Sequence, residues 1–326
     1  MCRPVILFVA VLLSTTAFSQ PAARIARFAG DRSAAISYTF DDGLRDQYTH
    51  AVPMLNESGF KGTFFVIPGR VSPDITDAEK RKNDKRAWGT ITWSELKEMA
   101  AQGHEIASHT WSHPGLPKLT PAEVDAELVK ARDAITTHIG RPPLTLAFPF
   151  NQSTPEIQAA ALKYHVAFRS YQLGVGGDKS TVESLNAWAD KQVRDKKWGV
   201  VMAHGIAYGY AAFTDPEIFR AHLRHVKSRD TDIWVDTFAT IARYEKERDD
   251  AKISVASSSA SRLVFTLTGT LDPKLYDVPL TLVLDLPNSR SARALRAGRE
   301  LPVRVSASAV QIDTAPSSEP ITVTWQ

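Results

Sequence analysis

Ala34-Ala35-Ile36-Ser37-Tyr38-Thr39-Phe40-Asp41-Asp42-Gly43 is a short apolar run that ends in two carboxylates and a glycine. Its β-branched and aromatic content predicts a buried strand over Ala35–Phe40, and Asp-Gly is a turn signal. Six further runs repeat the pattern: Gly62–Ile67, Glu105–Ser108, Leu144–Phe148, Val166–Ser170, Gly199–Ala203 and Asp232–Val235. Helix signals separate them. Thr120-Pro121-Ala122-Glu123 supplies an N-cap, a Pro at the first helical position and a capping-box Glu. Leu128, Ile135 and Ile139 continue an apolar stripe that Gly140 stops. Ser94–Met99 starts another helix, ended by Gly103, and Thr154-Pro155-Glu156 and Asp215-Pro216-Glu217 open two more. Seven strand–helix pairs from Ala34 to about Arg248 predict a closed or nearly closed parallel barrel. The rival is an open doubly wound sheet, but no Gly-rich phosphate loop follows the first strand. In a barrel, chemistry belongs at the C-terminal strand ends.

The pattern changes near Lys252. Leu263, Phe265 and Leu267 alternate with Val264, Thr266 and Thr268, and Leu280, Leu282, Leu284 and Leu286 with Thr281, Val283 and Asp285. Val303 with Val305 and Ile321 with Val323 close the series, which predicts a small antiparallel β-sandwich-like module. Ala256–Ser261 reads as a turn or part of the linker. Arg290, Arg293, Arg296, Arg299 and Arg304 give the module a basic cast, read as a solvated face rather than a site for an acidic polymer.

At the other end, Arg3 precedes the apolar run Val5–Leu13, and Ala17 and Ser19 suit a cut before Gln20. That is a signal-peptide pattern, too short to span a bilayer comfortably. The expected organisation is therefore a signal peptide at 1–19, a catalytic domain at 20–250 and the β module at 251–326. The mature chain is expected to be exported, periplasmic or secreted, with no stable membrane span and no obligate protein partner. Its 326 residues include one cysteine, Cys2, so after cleavage any metal must be held by His and carboxylate ligands. A net charge of +3 from 39 basic and 36 acidic residues is too small to suggest nucleic acid as a partner. Hydrophobic content of 43% argues against a disordered chain.

Four clusters sit where strands are expected to end: Thr39–Gly43, His109-Thr110-Trp111-Ser112-His113-Pro114, Phe148-Pro149-Phe150-Asn151 and Ala203-His204-Gly205. Each alone has a structural explanation, since Asp caps helices and a single His is often a hydrogen-bonded core residue. Together they carry chemistry. His109 and His113 are four apart, so one turn puts both imidazoles on one side. Two imidazoles and a carboxylate make a three-ligand site for a divalent ion, with positions left open. Of two adjacent carboxylates, one can hold the ion while its neighbour accepts a proton from the water that the ion acidifies. A further His across the pocket can protonate a leaving group. His50, His138, His165, His222 and His225 fall in expected helices, and His104 precedes the third strand.

This constellation resembles the polysaccharide deacetylase family, whose catalytic module is the NodB homology domain. The likeness rests on Thr39-Phe40-Asp41-Asp42-Gly43 and His109-x-x-x-His113. Ile91–Leu96, Gly103–Ser108 and the strand ending in His204 support it. It implies a distorted (β/α)7 barrel and removal of N-acetyl groups from amino sugars in a polysaccharide or oligosaccharide. It implies Asp41 as catalytic base, His204 as general acid, and Asp42, His109 and His113 as ligands of a divalent ion, most often Zn2+. Phe148-Pro149-Phe150 resembles a groove motif in which the aromatic residue's N–H helps to hold the oxyanion; Phe150, Pro149 and Trp111 are the expected substrate contacts.

Two departures stand out. The aligned groove reads Leu146-Ala147-Phe148-Pro149, without the Arg that orients the base in the family, and the partner Asp-Trp motif has no clear match near Asp178, Trp188 and Asp190. Trp88, Tyr208 and Tyr210 are further candidates for stacking on sugars. Met202 and Trp188 are candidates for an acetyl-methyl pocket, and Asp77–Arg86 reads as a charged loop edging the groove. The same machinery serves an O-acetyl ester hydrolase of the acetylxylan esterase type. A non-catalytic carbohydrate-binding relative and a non-haem iron oxygenase, which also uses two His and a carboxylate, are the remaining alternatives.

Overall fold

The computed structural model describes residues 22–74, 89–287 and 289–326. The expected signal peptide, the charged loop at 77–86 and Trp88 lie outside the described residues. The described residues open with strand β1 (Ala23–Ile25). The parallel strands follow as β2 (Ala34–Asp41), β3 (Thr63–Val66), β4 (Glu105–Ser108), β5 (Thr145–Ala147), β6 (Ala167–Arg169), β7 (Leu173–Gly174), β8 (Trp198–Ala203) and β9 (Ile233–Val235). They form one sheet in the order β6-β5-β4-β3-β2-β8-β7, with β9 on the first residues of β2. Every pairing in it is parallel. All seven strands expected from the sequence are present, and β7 is an eighth, too short to leave a periodic trace.

The sheet is curled rather than flat. β6 lies four strand spacings from β2, about 19 Å if the sheet were flat. Yet the Arg169 guanidinium at the end of β6 donates to Thr39 Oγ1 at 2.8 Å on β2. Only a sheet wrapped into a barrel wall brings those edges together. The strands are buried along their whole length in β2, β3 and β4, as expected where helices cover the outer face and side chains fill the inside. Phe40 stacks on Phe64 with centroids 4.8 Å apart, and Tyr38 meets Phe219 edge-on.

The helices start where local chemistry satisfies their free N–H groups. Pro121–Ile139 has the expected capping box between Thr120 and Glu123, and it ends at Gly140 in the left-handed region, φ 84°. Pro155–Ala161 and Pro216–Ser228 are capped by Thr154 and Asp215. The helix expected to start at Ser94 begins one residue earlier, at Trp93. Thr92 is its N-cap and Glu95 completes a capping box. His165 falls just beyond the helix Pro155–Ala161 rather than within it. It is buried, with Nδ1 3.1 Å from the Ala161 carbonyl.

The C-terminal strands form two antiparallel sheets. One has the order β10-β11-β17-β13-β14, with β10 at Lys252–Ser258, β11 at Arg262–Thr268, β13 at Ala292–Arg296, β14 at Arg299–Leu301 and β17 at Ser317–Trp325. The other has the order β1-β12-β16-β15, with β12 at Leu280–Asp285, β15 at Val303–Val305 and β16 at Ala309–Thr314. Leu263, Phe265, Leu267, Leu282, Ile321 and Val323 form their shared core. Ala256–Ser258, expected in a turn or linker, instead belong to β10. Strand β1 thus pairs with β12, Ala23 opposite Leu284, and sits with the C-terminal sheets although 226 residues, 26–251, intervene before β10. The expected basic face is largely paired internally. Arg293 meets Glu300, Arg304 meets Asp313, and Arg296 donates to the Ala315 carbonyl.

Candidate active site

The four clusters converge where the strands end. β2 delivers Asp41 as its last residue and Asp42 just beyond it. The loop after β4 carries His109 and His113, the turn after β5 carries Pro149 and Phe150, and β8 hands over to His204. One oxygen of Asp42 lies 3.7 Å from His109 Nε2 and 3.7 Å from His113 Nε2. Its other oxygen lies 3.8 Å from His204 Nε2. His109 Nε2 is also 3.9 Å from Asp41 Oδ2.

These distances are too long for hydrogen bonds. They suit donors that share one ion at about 2.0–2.2 Å each. The donor atoms of Asp42, His109 and His113 all lie within 4.8 Å of one another. Asp42 Oδ1 is buried and has no hydrogen-bond partner, a costly state for a carboxylate unless a cation satisfies it. His109 Nδ1 lies 2.7 Å from the Ala147 carbonyl, so Nδ1 carries the proton and the Nε2 lone pair faces Asp42. Burial lowers the pKa of both His109 and His113 from the usual imidazole value, against the pull of the nearby carboxylates. That favours the neutral form a metal needs. The residues therefore fit a divalent ion.

The backbone is strained here. Asp42, Thr110, His113 and Phe150 have φ of 72°, 65°, 65° and 56°, a region that non-glycine residues seldom adopt without tertiary support. The left-handed turn at Phe150 leaves its ring 61% exposed, edge-on to the His113 imidazole with centroids 4.6 Å apart. Pro149 is buried beneath it. Tyr210 is 72% exposed and meets His204 edge-on at 4.9 Å. Trp188 and Met202 line one cavity of about 500 Å³ together with His204 and Tyr210. The contacts of Trp111 run elsewhere: its carbonyl accepts the Gly69 N–H, and Lys130 sits 4.9 Å over its ring.

The arginine that the groove motif lacks is supplied from another strand. Arg169, on β6, donates to Asp41 Oδ1 at 2.7 Å and to Oδ2 at 2.5 Å. Burial pushes the Asp41 carboxyl up, but the charge of Arg169, with His109 behind it, outweighs burial and holds it below its ordinary range. A charge at the C-terminal end of the apolar run Val166–Ser170 was the available signal, because a barrel strand's last residues face the site. Asp190, near the sought Asp-Trp pair, is instead engaged by Arg229 at 2.6 Å and His225 at 3.1 Å.

Fold and cluster define a parallel α/β barrel with two imidazoles and a carboxylate at its strand ends. Residues 30–168 match the polysaccharide deacetylase family model. The chain is 24% identical to a gellan lyase of a Bacillus species over 323 residues, which spans 86% of this chain and 12% of the relative. It is 30% identical to a chitin deacetylase of a Pestalotiopsis species over 114 residues, 34% of this chain and 33% of that one. The chain thus spans a third or less of either relative. The crystal structure of a Mycobacterium smegmatis protein described as a polysaccharide deacetylase superimposes with a TM-score of 0.52 at 15% identity. It covers 71% of this chain and 96% of its own, a likeness of fold.

Proposed function

We propose that this protein is an exported, divalent-metal-dependent hydrolase that removes N-acetyl groups from amino sugars of a polysaccharide or oligosaccharide. The observation that carries the reading is the division of labour between adjacent carboxylates. Asp42 presents an unpartnered buried oxygen to two imidazoles, while Asp41 is clamped by Arg169 and kept ionised. Asp42, His109 and His113 would hold the ion, with zinc the best match to a two-nitrogen, one-oxygen set. When bound, such an ion supplies a polarised water that is acidic near neutral pH.

The protein's own groups do the rest. Asp41 accepts the proton of the attacking water at a carboxylate oxygen already fixed by the guanidinium. The main-chain N–H of Phe150 donates to the developing oxyanion, a contribution worth a few kcal/mol in a site closed to water. His204 Nε2, across Asp42 from the other two imidazoles, donates a proton to the departing nitrogen. The exposed rings of Phe150 and Tyr210 stand on imidazoles of this cluster and offer flat faces to a sugar chain. Trp188 and Met202 supply apolar wall beside His204 for the acetyl methyl. We read the C-terminal sheets, with β1, as a module accessory to this barrel.

The test is acetate release from N-acetylated chitooligosaccharides and from O-acetylated xylan, with zinc and with a chelator. Zinc-dependent release from the amide supports the reading. Release from the ester alone would replace it with an esterase, and glycan binding without release would leave a binding protein.

A further inference from the structure

Asp41 ends β2 and His204 directly follows the neighbouring β8, and each stands one residue past the last rung that joins the two strands. The ladder between β2 and β8 closes at Phe40 opposite Ala203. Beyond that rung, the amide of Gln47 takes over. Its Nε2 donates to the Asp41 carbonyl at 2.6 Å and to the His204 carbonyl at 3.0 Å. Gln47 is fully buried. It opens the wide π-helical turn Gln47–Ala51, a geometry that recurs at functional sites.

The preceding residue acts on the same loop. The Asp46 carboxylate is fully buried and accepts the amide protons of Ile206, Ala207 and Tyr208, the latter two at 3.1 and 3.2 Å. His50 Nδ1 lies 2.8 Å from it. The loop can close this tightly because residue 205 is glycine: a Cβ there would sit 2.0 Å from the Tyr208 carbonyl oxygen. Three successive N–H groups on one carboxylate hold the segment after His204 as a fixed concavity. The same segment carries Tyr210, whose carbonyl accepts the Gly205 N–H.

We propose that Asp46 and Gln47 are positioning residues that set the His204 imidazole against the Asp41 carboxylate, so that protonation of the leaving group depends on them. This rests on the deacetylase reading. It goes beyond that reading because neither side chain hydrogen-bonds to the side chains of Asp42, His109 or His113 among the described residues. The pair acts through main-chain carbonyls and amides of the acid's own loop.

The test compares the zinc-loaded full chain with Asp46→Ala, Asp46→Asn and Gln47→Met on an N-acetylated chitooligosaccharide and on 4-nitrophenyl acetate. Nitrophenolate leaves without a proton; a sugar amine does not. In Asp46→Ala the amide kcat should fall about 10- to 100-fold, the loss of a misplaced general acid, while the ester kcat stays within about threefold. KM should move little and zinc content should match the parent. Asp46→Asn, which keeps one acceptor oxygen, should recover part of the amide rate. Parallel losses on both substrates, or no loss on the amide, would overturn the proposal. Should Asp46→Ala fail to fold, Gln47→Met makes the same comparison. A parent chain that releases acetate from neither substrate would overturn the deacetylase reading instead.

Discussion

Arg169→Met in the zinc-stripped protein should reverse the way Asp41 contributes to stability. The two side chains are 1% and 6% exposed and share two short charge-assisted bonds. Breaking a buried pair by removing one partner costs about 3–5 kcal/mol, because the remaining charge is left uncompensated. In the parent, the folded pKa of Asp41 lies below its ordinary value. Its contribution is therefore fully present above about pH 4 and is lost as pH falls through that depressed value. In the variant, burial acts with less opposition and lifts the carboxyl, by up to about 3–5 units for complete burial. The folded group then penalises folding at neutral pH, and the penalty is relieved as pH falls. The gap between parent and variant should be widest at pH 7.5. It should narrow by about 1.4 kcal/mol for each pH unit below the variant's raised pKa. Urea denaturation of both proteins at pH 7.5 and pH 5.0 measures it. Arg169→Lys should fall between them, since an ammonium keeps the charge but not the two-pronged fit. A gap under about 1 kcal/mol at pH 7.5, or one that does not narrow by pH 5.0, would mean that Arg169 is not what keeps the buried Asp41 carboxyl ionised.

Burial holds the imidazoles of His104 and His165 down to about 4 and that of His222 to about 3. With folded values below the unfolded one near 6.5, stability should decline as pH drops from 6.5 toward 4, by about 3 kcal/mol per imidazole. Replacing His222 with Gln should flatten that decline in a pH series of melting curves; an unchanged slope would count against it. Tyr244→Phe removes the hydroxyl that donates to the Ala26 carbonyl at 2.9 Å and so unties the N-terminal strand from the helix Phe238–Asp250. It should cost about 1–2 kcal/mol in urea unfolding. Phe150→Ala keeps the main-chain donor and removes the exposed ring, so KM on an oligosaccharide should rise several-fold while zinc content holds.

The strand positions were legible because each buried strand leaves a compact apolar run, and the helix starts because their caps are local in sequence. Thr120 with Glu123 illustrates the second point. The members of the site were legible because Asp41, Asp42, His109 and His113 fall at the ends of such runs. Their geometry was not. Arg169 meets Asp41 only because the sheet curls across four strand spacings, and no local pattern encodes that closure. Asp46 and Gln47 carry no sequence pattern of their own, because their partners include main-chain groups of His204 and the loop after it, more than 150 residues away. The placement of β1 beside β12 is equally non-local: three residues carry no periodic signal, and their partner lies more than 250 positions away.

The proposed chemistry requires that Asp42, His109 and His113, and not Asp41, hold one divalent ion. Zinc content after exhaustive dialysis, measured by elemental mass spectrometry, tests it directly. The parent and Asp41→Asn should each retain about one zinc per chain, while Asp42→Asn and His109→Ala should retain little. A folded parent that retains no zinc, or a His109→Ala variant that retains as much as the parent, would contradict it.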